Sequence, residues 1–280
     1  MFSVNHRRRS SSVTRHGRRM PRLEQLEART LLTSWVGQIG GLGYDSVQSR
    51  AIMDTAGNMY IGGAFTGIAD FDPTSSGVMN LTSAGGEDAY LAKYSSGGSL
   101  LWARRFGGSL GDTTSSVRLD ATEGSLYVTG NFRGSADFTG DNVTDLTSTG
   151  AADVFVLKLD PASGSTVWQK AVGGGSNDYG TDIAAADGYV YITGGFTNTV
   201  DFNPGAGVNS LTAAGKGKFR SPDGFVLKLN ESGSYVTAWQ VGGEGTDSIR
   251  NVVVEGEVVY VSGGFSGKAD FDPTAGTQFR

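Results

Sequence analysis

Tyr127-Val128-Thr129-Gly130-Asn131-Phe132 is a short apolar strand that closes on small residues before an aromatic ring, and the chain repeats it three more times. The other copies are Tyr60-Ile61-Gly62-Gly63-Ala64-Phe65, Tyr191-Ile192-Thr193-Gly194-Gly195-Phe196 and Tyr260-Val261-Ser262-Gly263-Gly264-Phe265. Working outward, the same landmarks surround each copy. Trp35, Trp102, Trp168 and Trp239 come first, spaced 67, 66 and 71 residues apart. A Gly-Gly pair and an acidic residue follow: Gly40-Gly41 with Asp45, Gly107-Gly108 with Asp112, Gly173-Gly174 with Asp178, Gly242-Gly243 with Asp247. After the Tyr strand comes an Asp-Phe pair, at Asp70-Phe71, Asp137-Phe138, Asp201-Phe202 and Asp270-Phe271. Self-similarity at a fixed period is the signature of a repeat architecture.

A further strand follows in the first three copies. In the second it is Asp153-Val154-Phe155-Val156-Leu157-Lys158-Leu159, where the two-residue period puts Phe155, Leu157 and Leu159 on one face. With the Val117–Leu119 region and the Trp-bearing segment, each period holds four short strands. That count is the one expected of a propeller blade, whereas a β-helix has a much shorter period and a sandwich does not repeat its tryptophan. The expectation is an all-β β-propeller built of four-stranded blades, with about 3.5 repeats in a ring left incomplete. Its repeats divide at 35–101, 102–167, 168–238 and 239–280, behind a leader at 1–34. The fourth copy stops at Arg280, about ten residues after Asp270, so an open sheet edge liable to self-association is expected.

The repeat resembles the SBBP family of bacterial β-propeller repeats. Gly57-Asn58-Met59-Tyr60-Ile61-Gly62-Gly63-Ala64-Phe65 and the Asp153 strand match its two signatures best. The resemblance implies a scaffold found mainly in exported and surface proteins, with no general catalytic residues to carry over.

Composition agrees with many tight turns: 44 Gly against 6 Pro, and no helical period past the leader. Cysteine is absent, which excludes disulfides, thiol nucleophiles and Cys-ligated metals. The net charge of −5 hides an asymmetry. Before Trp35 stand eight Arg against Glu24 and Glu27, leaving 15 Lys/Arg and 26 Asp/Glu for the body. An acidic body argues against nucleic acid as its partner. The leader has no apolar run fit for a signal-peptide core or a transmembrane segment. Its Leu23-Glu24-Gln25-Leu26-Glu27-Ala28-Arg29-Thr30-Leu31-Leu32 resembles the LEPR-XLL motif of large bacterial surface and exported proteins, which implies sorting to the cell surface or beyond.

Both histidines, His6 and His16, lie in the leader, so imidazole-based catalysis and His-metal sites are disfavoured for the body. Paired carboxylates remain, yet the prominent Asp residues recur in several copies, and a single active site would break that symmetry. For Asp45, Asp112, Asp178 and Asp247 the expected role is turn capping. The Asp-Phe-Asp-Pro and Asp-Phe-Asn-Pro loops offer Asp70, Asp72, Asp201, Asn203, Asp270 and Asp272 as oxygen ligands for Ca²⁺, with an Asx-type turn as the competing reading. Gly40 to Gln48 and Gly242 to Arg250 also match a Ca²⁺-binding nonapeptide, but that motif works by tandem stacking. Leu159 to Trp168 looks like the tryptophan-docking motif of quinone-dependent propeller dehydrogenases, where it is structural too. The longest unrepeated insertion, 216–222, carries Lys216, Lys218 and Arg220 as a basic spot suited to partner contact. The expected function is therefore a non-enzymatic, exported or cell-surface scaffold that binds protein or glycan through its loops, with no cofactor beyond the Ca²⁺ reading. The alternative is a piece of a propeller enzyme, quinone-dependent or carboxylate-based.

Overall fold

The computed structural model describes residues 35–74, 76–215 and 221–272, and every regular element among them is a β-strand. The chain divides into two units, Met1–Ser34 and Trp35–Arg280, and the described residues all belong to the second. The leader with its motif, and the insertion residues Lys216, Lys218 and Arg220, lie outside them. Among the described residues no helix is long and apolar enough to cross a membrane.

Three four-stranded antiparallel meanders follow one another. In the first, Asp45–Val47 and Ile52–Met53 form an interrupted strand against Met59–Phe65, which pairs with Asp88–Tyr94 and then Leu100–Gly108. The second runs Thr113–Leu119, Leu126–Phe132, Asp153–Leu159, Thr166–Gly174. The third runs Tyr179–Ala186, Tyr189–Phe196, Asp223–Asn230, Tyr235–Gly243. Ser248–Glu255 and Val258–Gly264 then form a hairpin. Among the described residues no sheet closes on itself.

The tryptophan strand ends each sheet rather than opening it, because it hydrogen-bonds back to the third strand: Lys93 faces Trp102 and Lys158 faces Trp168. The units that fold together are therefore 45–108, 113–174 and 179–243, about one strand out of phase with the sequence periods. In the third sheet Thr237 faces Lys228 and Trp239 faces Val226, so Trp239 sits two residues further along its strand. That displacement contributes to the longer last spacing.

Consecutive sheets share cores. Phe155, Leu157 and Leu159 pack with Tyr60, Leu91, Trp102 and Phe106 of the first sheet. Val154 and Val156, pointing the other way, pack with Ile183, Val190, Ile192 and Phe225 of the third. The predicted alternation is thus present, with both faces of the second sheet buried. Each such side chain taken from water stabilises by roughly 1.5–3 kcal/mol. Ala184, Tyr191 and Val226 carry the series on to Ile249 and Val252 of the last hairpin.

Each Gly-Gly pair bonds to the short strand that carries the next Asp-Phe, the last three from the end of a four-stranded sheet: Gly40–Gly41 with Ile68–Asp70, Gly107 and Gly108 with Asp137 and Ala136, Gly173 and Gly174 with Asp201 and Val200, Gly242 and Gly243 with Asp270 and Ala269. Glycine is needed at the second position because the crossing strand passes so close. A Cβ on Gly108 would lie 2.0 Å from the Ser135 carbonyl oxygen.

Candidate functional site

The repeated carboxylates come first, since their partners decide what is left for a ligand. Asp45, Asp112, Asp178 and Asp247 each accept, through Oδ2, the N–H of the second glycine of the preceding pair, at 2.8, 2.8, 2.7 and 2.8 Å. The other oxygen of the last three accepts a backbone N–H just past the second strand, from Arg133, Thr197 and Ser266 at 3.0, 2.9 and 3.0 Å. These residues cap turns, as their recurrence implied, and bind the Gly-Gly crossing to the end of the next strand. Burial pushes the Asp112 carboxyl up to about 7, against the pull of the Arg133 and Gly108 amides. Asp178 is raised by burial to about 6.

A second set, Asp88, Asp153 and Asp223, starts each third strand and is buried. Asp88 and Asp112 meet at Gly107, where a Cβ would lie 2.5 Å from Asp112 Oδ2 and 3.1 Å from Asp88 Cγ. Arg105 donates to Asp88 Oδ2 at 2.8 Å and lies 3.8 Å from Asp137. At the matching register of the third sheet Gln240 donates to Asp223 at 2.6 Å. Burial raises Asp88 and Asp153 above the usual carboxylate range, and the buried Oδ1 of each has no hydrogen-bond partner among the described residues.

The Asp-Phe loops form Asx turns. Asp70 Oδ1 accepts the N–H groups of Asp72 and Met79 at 3.0 and 2.8 Å, and Asp201 Oδ1 those of Asn203 and Asn209 at the same distances. Asp72 and Asn203 make the next turn by accepting from Thr74 and Gly205. Asp270 accepts from Asp272 at 3.0 Å. The structure brings the six candidate Ca²⁺ ligands together in pairs within separate repeats. Among the described residues no three His, Asp or Glu side chains gather as for a metal.

The tryptophans dock between repeats. The Trp102 indole N–H donates to the Pro161 carbonyl at 3.3 Å, and its ring lies against Gly164, whose φ is +70° and where a Cβ would sit 2.8 Å away. Trp168 donates to Glu231 at 3.1 Å and lies against Gly233. Lys93 and Lys158 rest over Tyr60 and Tyr127, at 4.8 and 5.5 Å from the ring centres. The segment from Leu159 to Trp168 is thereby an inter-repeat junction.

The unrepeated polar groups are those that sequence reasoning missed. Asp182 accepts from Ser116 Oγ at 2.7 Å and from the Val252 N–H at 3.0 Å, tying three consecutive sheets. Arg118 approaches it at 3.8 Å. At a different place, a groove between the first two Asp-Phe loops is lined by Met79, Leu81, Arg104, Arg105, Thr139 and Asn142. Arg104 donates to the Ser163 carbonyl at 2.7 Å, which holds its guanidinium at the groove. Its position in the repeat is Lys170 in the second sheet, so only comparison across copies could have drawn attention to the Arg104-Arg105 pair.

No family model matches the chain, and no curated protein matches it in sequence.

Proposed function

We propose that this chain is a non-enzymatic β-propeller scaffold of the SBBP type, exported or at the cell surface, that binds a protein or glycan ligand through loops at its repeat junctions. The propeller reading is supported by four-stranded meanders that follow in series, share cores face to face and pass a Gly-Gly crossing strand to the next repeat. Export rests on the LEPR-XLL resemblance of the leader and on the repeat's own.

One observation carries the binding reading. The recurrent caps Asp112, Asp178 and Asp247 are taken up by backbone amides, whereas Arg104, Arg105 and Thr139 line a groove that recurs in the third repeat with Trp239, Gln240 and Asp272 in their places, so its lining changes from repeat to repeat. A rigid sheet stack that positions such loops suits recognition. The test is to probe glycan and surface-protein arrays with the full chain and with Arg104→Glu. Loss of at least tenfold in signal at the retained ligands is expected, with the chain still folded though melting lower for want of the Ser163 bond. Equal staining by both proteins would move the binding surface away from this groove.

A further inference from the structure

Asp112, Asp178 and Asp247 build the same backbone frame three times. Each accepts at one carboxyl oxygen the N–H of the residue just past a second strand: Arg133, Thr197 and Ser266, at 3.0, 2.9 and 3.0 Å. Each donates its own N–H to the carbonyl of the residue just before a third strand: Glu87, Ala152 and Pro222, at 2.7, 2.7 and 2.8 Å. The frame thus holds Glu and Arg side chains at the first junction, Ala and Thr at the second, Pro and Ser at the third.

Because the frame uses only backbone atoms of these residues, the charges of Glu87 and Arg133 contribute nothing to it. Asn131 stands beside them where the first and third sheets carry Ala64 and Gly195; it faces Val154 as those face Ala89 and Gly224. Among the described residues none of the three side chains has a hydrogen-bond or ion-pair partner, so Glu87 and Arg133 do not pair with each other. All three line one crevice of about 680 Å³, together with Thr113, Ser148 and the half-exposed Leu110. A polar group that serves the fold recurs with the fold. Polar groups present at one junction only, convergent on a crevice and without partners, are the mark of a ligand site.

We propose that this crevice binds a small zwitterion, an ammonium and a carboxylate joined by a short aliphatic chain, as in a free amino acid. Arg133 takes the carboxylate, which a guanidinium fork bonds in two places, and Glu87 takes the ammonium. Asn131 both donates and accepts beside them. Leu110 is the one large apolar side chain of the lining and meets the aliphatic part. A neutral sugar would displace water from both charges and neutralise neither. The crevice shares no lining residue with the Arg104 groove.

The experiment is calorimetric titration of the full chain with the protein amino acids and with β-alanine, 4-aminobutyrate and 6-aminohexanoate, which hold the two charges at increasing separations. At least one of these is expected to saturate a single site. Its affinity falls at least tenfold in Arg133→Gln and in Glu87→Gln, the loss of one charge-assisted bond in each case. Propionate and propylamine, with one charge apiece, bind at least tenfold more weakly than the best zwitterion. Both variants keep their fold, since the frame holds residues 87 and 133 by their backbone. The proposal is overturned if no zwitterion saturates the unaltered chain, if a one-charge analogue binds as tightly, or if either variant binds as the unaltered chain does. Arg104 lies outside the crevice, so failure at either site leaves the other standing.

Discussion

Asp112 accepts two backbone amides and is fully buried, so its hydrogen bonds and its desolvation oppose each other. Desolvation prevails, and the carboxyl is pushed up to about 7. A folded-state pKa raised above the unfolded value near 3.8 gives stability that is fully present below 3.8 and lost as pH rises through about 7. Asp178, raised to about 6, acts in the same direction. Asp54 and Asp120 act oppositely. Burial would raise them, but bonds from Asn58 and from Thr122 and Gly124 hold them low, and their contribution is lost only at more acid pH. Urea unfolding between pH 4.5 and 8 is therefore expected to show stability falling with pH, each fully titrating group adding up to about 1.4 kcal/mol per pH unit. Asp112→Asn is less stable at every pH, because the Gly108 and Arg133 N–H groups point at different carboxyl oxygens and the NH2 that replaces one of them cannot accept, and its curve is flatter. Parallel curves for the two proteins would mean that Asp112 is ionised throughout this range.

At the scale of elements, the junction between a tryptophan strand and the next turn is where repeats are locked together. Trp102 is 7% exposed, stacked on Gly164 and bonded to the Pro161 carbonyl. Trp102→Phe removes the N–H donor but leaves the Pro161 carbonyl accepting from the Lys93 ammonium at 3.0 Å, so it costs no more than about 1 kcal/mol. Trp102→Ala also opens a cavity between two sheets and costs roughly 3–5 kcal/mol. Chemical denaturation of the two variants checks this. A cost for Ala no larger than for Phe would show that the hydrogen bond, not packing, fixes the junction.

Much of this was legible in the sequence, because a strand buried on both faces must be apolar throughout, and Phe155 and Leu157 stand out as such. The Asp caps were legible because they recur. The phase of the sheets was missed although its signal is local: the Ser95-Ser96-Gly97-Gly98-Ser99 turn, closed by the Ser95 N–H on the Ser99 carbonyl, folds the Trp102 strand back onto Lys93. The Asp182 bonds were not legible, because they join residues 66 and 70 positions apart in different sheets. The Arg105 pair was hidden for a related reason: its counterpart in the third sheet is an uncharged Gln240.

The described residues form a series in which each sheet is stabilised by its neighbours, so stability is expected to vary along the series rather than to be uniform. The second sheet is covered on both faces, by Tyr60 and Leu91 on one side and by Ile183 and Ile192 on the other. Among the described residues the hairpin of Ser248–Glu255 and Val258–Gly264 is covered on one face only. Ile249 and Val252 are buried against the third sheet, while Val253, Val258 and Tyr260 are 57%, 51% and 55% exposed. A unit held by one interface opens at lower free energy than a unit held by two. Native-state hydrogen exchange is thus expected to find the amides of 248–264 exchanging at least tenfold faster than those of 126–159, and at lower urea. Ile249→Ala, which thins the single interface, should widen that gap without changing exchange at 126–159. A single exchange free energy shared by all sheets, unmoved in ratio by Ile249→Ala, would show that the series opens as one cooperative body and that neighbour coupling exceeds the difference between one interface and two.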